Sequence, residues 1–315
     1  MDENPFAGWP HVLLESRHLR CVVMLPDPLQ GYYRGPRFDW SGTVASVRTE
    51  RHGFFGPWRD LPHRPRMHDD TAGTAGEFGM GPRTGNPPPV GYEEAGRGEP
   101  FLKIGVGQLA RIAEQSYDYA ALYRISRPAA WDIRRDEKGI SFTQEDGPVR
   151  GHAFRYVKGI TLSPTDASLT LSHTLSNTGT RQLRQTHYCH NFIRIDERDV
   201  GRDVSLELPF VPELSQVRGS ALVSEGRRVR LSRDPGPTEE FFALVTGFGD
   251  GAGENTVLVR APGAALRISG DLPLVRFQVW GTGRTICPEP FVALDLLPGE
   301  AVTWAIRYDF LESDA

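Results

Sequence analysis

The stretch Ala167-Ser168-Leu169-Thr170-Leu171-Ser172-His173-Thr174-Leu175-Ser176-Asn177 decides the fold class of this 315-residue chain. Every even-numbered position in it carries Ser or Thr, whereas Leu occupies three of the odd-numbered positions. Because successive side chains of a β-strand point to opposite faces, this alternation predicts a strand with one buried face and one exposed face.

Runs with similar alternation recur along the chain, separated by Gly, Pro and Asp. They cover residues 20–25, 43–47, 154–162, 204–210, 256–260, 266–268, 274–280, 291–297 and 302–310. Helical periodicity is weak, and residues 108–115 could form two helical turns at most. Parallel strands need long crossover connections, usually helices, and none is evident here. The sequence therefore predicts an all-β fold, a large sandwich of antiparallel strands.

The pattern predicts one domain over residues 1–315, with a long Gly/Pro-rich loop at about 56–100. This loop shows little alternation, but it contains large side chains such as Trp58, Phe78 and Tyr92. A mere linker would not need these side chains. We therefore expect this loop to be ordered and to cover one face of the sandwich.

Composition and charge exclude several functional classes. The chain has 36 Lys+Arg against 40 Asp+Glu, a formal charge of −4 and a pI near 6.2, which disfavours binding to nucleic acid or to a membrane surface. The acidic start Met1-Asp2-Glu3-Asn4-Pro5 does not resemble a signal peptide, so a cytoplasmic location is expected. The three cysteines are too few and too scattered for a disulfide scaffold or a zinc site.

The segment Thr186-His187-Tyr188-Cys189-His190-Asn191-Phe192 concentrates groups that can donate, accept or transfer protons. On a regular strand His187, Cys189 and Asn191 share one face, and Tyr188, His190 and Phe192 share the other. The two histidines then point apart, so no metal pair is predicted. For either histidine alone, an exposed or a hydrogen-bonded core position is the simpler interpretation, but their clustering favours a functional site.

A second candidate segment is Cys287-Pro288-Glu289-Pro290-Phe291. The two prolines restrict the backbone around Glu289, which precedes a predicted strand. Poor hydration there can raise the pKa of a carboxyl toward the range of a general base. An ordinary turn glutamate is the alternative.

These two segments resemble motifs of the galactose mutarotase-like superfamily, which includes the aldose 1-epimerases. His187-x-x-x-Asn191-Phe192 is similar to the family's His-Ser-Tyr-Phe-Asn-Leu strand, whose histidine is the general acid. Cys287-Pro288-Glu289 is similar to the family's Cys-x-Glu, whose glutamate is the general base. The resemblance implies a supersandwich fold, His187 as the acid and Glu289 as the base.

Other family motifs are altered in this chain. The early Asn-Arg and Leu-His-Gly-Gly motifs are absent, and Arg37 and His52 are the nearest replacements for their arginine and histidine. Lys103 attracts interest because lysine is scarce, although a strand lysine with a solvated head group is an equal alternative. The residues assigned to substrate binding are Arg37, Asp39, Trp40, His52, Glu77, Lys103, His190, Asn191 and Trp280.

The resemblance implies an isomerase that interconverts the anomers of a small sugar or sugar derivative by acid and base catalysis, without a metal or cofactor. Two alternatives stay open. One is a carbohydrate-binding protein on the same fold that catalyses nothing, and the other is a sugar-modifying lyase.

Overall fold

A computed structural model describes residues 4–59, 62–219 and 222–312. The described residues contain two single-turn 3₁₀ helices, Pro82–Thr84 and Ala252–Glu254, and no α-helix. None of them forms a helix long and apolar enough to cross a membrane. The all-β prediction is confirmed. The strands are β1 (His11–Glu15), β2 (Arg20–Met24), β3 (Val44–Arg48), β4 (Gly53–Phe55), β5 (Gly73–Phe78), β6 (Pro100–Lys103), β7 (Gly107–Ala110), β8 (Arg124–Pro128), β9 (Asp132–Arg135), β10 (Gly139–Val149), β11 (His152–Leu162), β12 (Ser168–Asn177), β13 (Leu183–Phe192), β14 (Ser205–Glu207), β15 (Glu213–Arg218), β16 (Leu222–Glu225), β17 (Arg228–Leu231), β18 (Phe241–Thr246), β19 (Thr256–Ala261), β20 (Ala264–Gly270), β21 (Arg276–Thr282), β22 (Thr285–Leu296) and β23 (Ala301–Glu312).

The strands form two large antiparallel sheets and two small ones. The ten-stranded sheet has the order β16-β17-β14-β19-β20-β23-β12-β11-β10-β9, and the six-stranded sheet has the order β15-β18-β21-β22-β13-β5. The small sheets are β1-β2-β3-β4 and β6-β7-β8. All of the strands that the sequence predicted by alternation lie in these sheets.

The two large sheets face each other across the core. In β12 the leucines Leu169, Leu171 and Leu175 are buried, as their alternation predicted. From the neighbouring β23, Trp304 Nε1 reaches across to donate to His187 Nδ1 in β13, at 3.2 Å. Side chains at odd positions of β13 therefore point into the sandwich.

One detail of the sequence prediction was wrong. The region 56–100 is not one loop, because it contains β5 at the edge of the six-stranded sheet beside β13. Every residue of β5 is buried, and four of the six are Gly, Thr or Ala, so it gives no alternating hydrophobic signal. Residues 108–115, for which the sequence allowed two helical turns at most, contain the end of β7 and no helical turn.

Candidate active site

A cavity of about 580 Å³ lies on the face of the six-stranded sheet that points away from the sandwich core. Side chains of β13, β18, β21 and β22 line it, together with Arg37 from the β2–β3 connection, residues of the loops between β4 and β8, and the end of β15. The lining residues used below are Arg37, His68, Tyr119, His190, Gln278, Trp280 and Glu289.

The cavity floor lies where two neighbouring strands, β13 and β22, separate. Their ladder runs only from Leu183 to His187 of β13, and contact resumes at the isolated bridge between Ile193 and Ile286. Pro288 and Pro290 lie in the interrupted part of β22, and a proline has no backbone N–H to donate to a ladder. Asn191 Nδ2 instead donates to the Pro288 carbonyl at 2.9 Å.

Glu289 and His190 form a buried acid–base pair in this floor. His190 Nε2 lies 3.1 Å from Glu289 Oε1, and both side chains are at most 5% exposed. Gln278 Nε2 donates to the other carboxylate oxygen at 2.5 Å. The His190 ring stacks on Phe192 and meets the Trp280 ring edge-to-face. The imidazole and the carboxyl group are therefore held in fixed orientations at the cavity wall.

Burial changes the proton affinities of both partners in opposite directions. Desolvation raises the pKa of Glu289 to about 8, against a smaller lowering by the hydrogen bond from Gln278. Desolvation lowers the pKa of His190 well below its ordinary value, and the charge of Arg37 lowers it further. Near neutral pH the pair therefore holds one ionisable proton between its two members.

Arg37 brings a fixed positive charge into the same cavity. Its Nε donates to Glu77 Oε2 at 2.8 Å, and its Nη2 donates to the Tyr188 hydroxyl at 2.9 Å. Its guanidinium lies 4.4 Å from the ring centre of Tyr119. These contacts fix the guanidinium plane and leave it at the cavity wall.

Glu77 is fully buried and forms ion pairs with two cations, Arg37 and Lys103. Its Oε1 lies 3.3 Å from Lys103 Nζ, and the Tyr188 hydroxyl donates to its Oε2 at 2.5 Å. Burial opposes its ionisation, but Arg37 and Lys103 hold its pKa below the ordinary value. Burial also lowers the pKa of Lys103 to about 8. Glu77 and Lys103 thus lie one layer behind the cavity and support Arg37.

No protein-family model matches the sequence, and the comparison with curated proteins gives no significant match. Solved structures do match over nearly the whole chain. A galactose mutarotase-like protein from Lactobacillus casei ATCC 334 has a TM-score of 0.53 and 12% identity, covering 96% of this chain and 100% of its own. A galactose mutarotase-like protein from Clostridium acetobutylicum has a TM-score of 0.55 and 10% identity, with coverages of 96% and 95%.

The galactose 1-epimerase from Lactobacillus acidophilus NCFM has a TM-score of 0.54 and 12% identity, with coverages of 96% and 98%. The chain has the galactose mutarotase-like fold. The fold expectation drawn from the two sequence motifs is therefore confirmed. At these identities the likeness concerns the fold, and the activity has to be argued from the site itself.

Four of the residues predicted from sequence meet at the cavity of this galactose mutarotase-like fold. They are Arg37, His190, Trp280 and Glu289. Glu77 and Lys103 support them from behind, as described above. No group of three or more His, Cys, Asp or Glu side chains among the described residues is arranged to hold a metal ion.

His187 does not face Glu289, and its assignment as the acid is corrected. It lies on the opposite face of β13, where its ring packs against Phe78, His173 and Trp304 in the core. Desolvation lowers its pKa to about 3, so it is a neutral core residue at ordinary pH. His190, three positions later, occupies the place at the cavity that the sequence assigned to His187.

Asn191 is also turned away from the cavity floor. It lies on the same face as His187, and it accepts a hydrogen bond from the Tyr308 hydroxyl at 2.8 Å while donating to backbone carbonyls. Its assignment to substrate binding is corrected to a structural link between β13 and β22.

Three further residues assigned to substrate binding lie elsewhere. Asp39 is buried against Lys158 and Ser41, with its Oδ2 3.4 Å from Lys158 Nζ. Trp40 lines a different cavity. His52 Nδ1 is 2.9 Å from Asp196 Oδ2, near the small β1-β2-β3-β4 sheet. Although Asp39 and Trp40 are close to Arg37 in sequence, the largely buried chain between Tyr33 and Gly42 directs its side chains to different sides.

Several cavity residues were missed, among them His68, Tyr119 and Gln278. His68 and Tyr119 come from irregular loops, where no periodicity places a side chain. Gln278 could have been found, because Gly283 and Arg284 form a two-residue hairpin connection between the paired Thr282 and Thr285. Counting outward from that turn places Gln278 opposite Glu289.

Proposed function

We propose that this protein binds a sugar or sugar derivative in the cavity and interconverts its anomers, with Glu289 and His190 as the proton-transfer pair. The observation that carries the proposal is that a buried imidazole, His190, and a buried carboxyl group, Glu289, line the wall of one cavity. The galactose mutarotase-like fold and the name of the L. acidophilus relative, galactose 1-epimerase, support a sugar as the substrate class.

Anomer exchange needs one acid and one base at the same carbon. Ring opening breaks the C1–O5 bond, while a proton is delivered to O5 and another leaves the C1 hydroxyl to form the aldehyde. Rotation about C1–C2 and closure on the other face reverse both transfers. A pair that holds one proton supplies both roles, because the member that gives a proton during opening receives one back during closure.

The remaining cavity residues suit a sugar that must be held while its ring opens. Trp280 presents an indole surface, on which the apolar face of a pyranose can pack. Arg37 provides fixed N–H donors for hydroxyl or anionic groups. The partly buried walls reduce contact with water, which strengthens these polar interactions.

The test is magnetisation-exchange NMR between the two anomers, over a panel of neutral, phosphorylated and acidic sugars. We expect the wild-type protein to accelerate exchange for at least one sugar. Glu289→Gln and His190→Gln should each reduce that acceleration by about 10²–10⁴, because each removes one proton-transfer group. Glutamine at position 190 retains a polar atom toward Glu289.

His187→Asn is the matched control, because asparagine retains an acceptor for Trp304 Nε1. We expect this variant to keep at least a tenth of the wild-type acceleration. Loss of exchange in His187→Asn, with His190→Gln still active and both proteins folded, would restore His187 as the acid. Full activity in both Glu289→Gln and His190→Gln would refute the proposed pair.

Carbohydrate binding without turnover is the second candidate function. The direct contact between His190 and Glu289 favours it, because each group already satisfies the other in the free protein and a substrate must separate them. Saturable sugar binding with no accelerated exchange, for every sugar of the panel, would select this candidate over the isomerase.

A further inference from the structure

A second cavity, of about 420 Å³, lies on the other side of the segment that holds Arg37. Its lining includes Arg34, Arg66, Arg124, Trp40, Tyr123 and Leu122. Its lining contains no Asp or Glu. The mechanism proposed above uses none of these residues.

The positive charge of this second cavity is not neutralised by carboxylates. In the described part of the chain, the side chains of Arg66 and Arg124 form no ion pair with Asp or Glu, and both residues are exposed. Arg34 donates through Nη1 to the Leu29 carbonyl, while its buried Nε has no hydrogen-bond partner. Three guanidinium groups therefore surround one concave space.

Asp27 lies outside the lining of this cavity, but its carboxylate interacts electrostatically with Arg34. Its Oδ1 accepts the backbone N–H groups of Leu29 and Gln30, each at 2.7 Å. These two hydrogen bonds, and to a lesser extent Arg34, hold the pKa of Asp27 below its ordinary value. The charge of Asp27 therefore offsets part of the charge of Arg34. Arg66 and Arg124 stay available for an external anion.

The floor of the second cavity is aromatic and carries few free polar groups. Trp40 Nε1 donates to the Gly35 carbonyl at 2.8 Å, and the Tyr123 hydroxyl accepts the backbone N–H of Asp118 at 3.1 Å. The polar atoms of both rings are therefore occupied within the protein. What remains for a ligand is a narrow strip of apolar ring surface, since Trp40 and Tyr123 are each 4% exposed, together with the exposed side chain of Leu122.

We propose that this second cavity binds a small molecule that carries an oxyanion on a ring with an apolar face. The arginines would bind the phosphate, sulfate or carboxylate group by charge-assisted hydrogen bonds. The ring would pack on Trp40 and Tyr123. A sugar phosphate and a nucleoside monophosphate both have this chemistry, and neither choice depends on the isomerase activity proposed above.

Isothermal titration calorimetry at low ionic strength tests the proposal with three probes: glucose 6-phosphate, adenosine monophosphate and inorganic phosphate. We expect at least one ring-bearing probe to bind at least tenfold more tightly than inorganic phosphate, and the tighter of the two identifies the ring. The double variant Arg66→Ala/Arg124→Ala should weaken that binding at least tenfold, which corresponds to about 1.4 kcal/mol.

The matched control is Arg134→Ala/Arg135→Ala, which removes two exposed arginines from β9, outside this cavity. It should leave the dissociation constant within about twofold of wild type, a change smaller than the tenfold step. Equal weakening by the two double variants would overturn the proposal, as would a probe that binds the Arg66→Ala/Arg124→Ala protein as tightly as wild type. Absence of binding by all three probes up to about 10 mM would overturn it as well.

Discussion

Glu289 is a carboxyl group that the fold keeps away from water, at a cost in stability that depends on pH. Its pKa of about 8 in the folded chain lies above its ordinary value of 4.5. Between these values the folded chain binds a proton that the unfolded chain has released. The contribution of Glu289 to the free energy of unfolding therefore falls as pH rises through this window, by about 1.4 kcal/mol per pH unit. Such a cost at a cavity wall is typical of groups retained for chemistry.

Glu289→Gln removes this pH-dependent cost. We expect the variant to gain stability relative to wild type as pH rises from 5.5 to 8, by about 3 kcal/mol over that interval. Urea denaturation of both proteins at the two pH values measures the difference. A constant difference in the free energy of unfolding across this range would mean that Glu289 ionises in the folded protein as it does in water.

At the scale of the strand, the burial of β13 explains why the prediction found the right strand but assigned the acid to His187 and not to His190. Alternation correctly separated His187 and Asn191 from Tyr188 and His190. It could not say which face points outward, because nine of the ten residues of β13 are buried and polar side chains occupy both faces. Loops cover the sheet face on which the cavity lies, so residues on that face are as buried as residues on the core face. Burial therefore does not distinguish the two faces.

The motif around Glu289 was easier to interpret, because two prolines flank it within β22. They remove donors from the ladder, and this agrees with the separation of β22 from β13 at the cavity floor. The loop residues His68 and Tyr119 could not be placed in this way. Their positions depend on tertiary contacts, such as the guanidinium of Arg37 against the Tyr119 ring.

Asn191 holds the separated strands together, so we expect its loss to affect both stability and activity. Asn191→Ala removes the donor to the Pro288 carbonyl and an acceptor of the Tyr308 hydroxyl, which keeps its hydrogen bond with Cys189, in a buried region. We expect a loss of about 2–4 kcal/mol in the free energy of unfolding, measured by urea denaturation. Anomer exchange should fall as well, because the spacing between His190 and Glu289 is no longer fixed.

Tyr308→Phe is the comparison for this strand-level prediction. It removes the hydrogen bond to Asn191 Oδ1 but leaves the link from Asn191 to Pro288, so a loss of about 1 kcal/mol and normal exchange are expected. If Asn191→Ala is as stable and as active as Tyr308→Phe, the link to Pro288 does not hold the two strands at the site.

For the whole molecule, the segment between Tyr33 and Gly42 connects the two cavities to the sandwich. Asp39 N donates to the Gly76 carbonyl in β5 at 2.8 Å, and Trp40 N donates to the Gly105 carbonyl at 3.0 Å. The backbones approach so closely that a Cβ on Gly105 would lie 2.6 Å from the Asp39 Cα, and Gly105 has a φ of +85°. The segment thus carries Arg37 toward the first cavity and Trp40 toward the second.

A buried ion pair fastens this segment to the ten-stranded sheet. Lys158 Nζ, from β11, donates to the Ser41 carbonyl at 2.7 Å and lies 3.4 Å from Asp39 Oδ2. Both side chains of the pair are fully buried. The Tyr156 hydroxyl adds a hydrogen bond to the same carboxylate oxygen at 3.2 Å. Each charge therefore depends on the other for its compensation.

Removing one member of this pair should cost much more than removing both charges. Lys158→Met leaves the Asp39 carboxylate buried without its cation, and we expect a loss of about 3–5 kcal/mol in the free energy of unfolding. Asp39→Asn/Lys158→Met should recover a large part of this loss, because no uncompensated charge stays in the core. Urea denaturation of the wild type, Lys158→Met, Asp39→Asn and the double variant measures the recovery. If the double variant loses the sum of the two single losses, the ion pair does not couple the segment to the sheet, and the positions of Arg37 and Trp40 must depend on the backbone contacts with Gly76 and Gly105 alone.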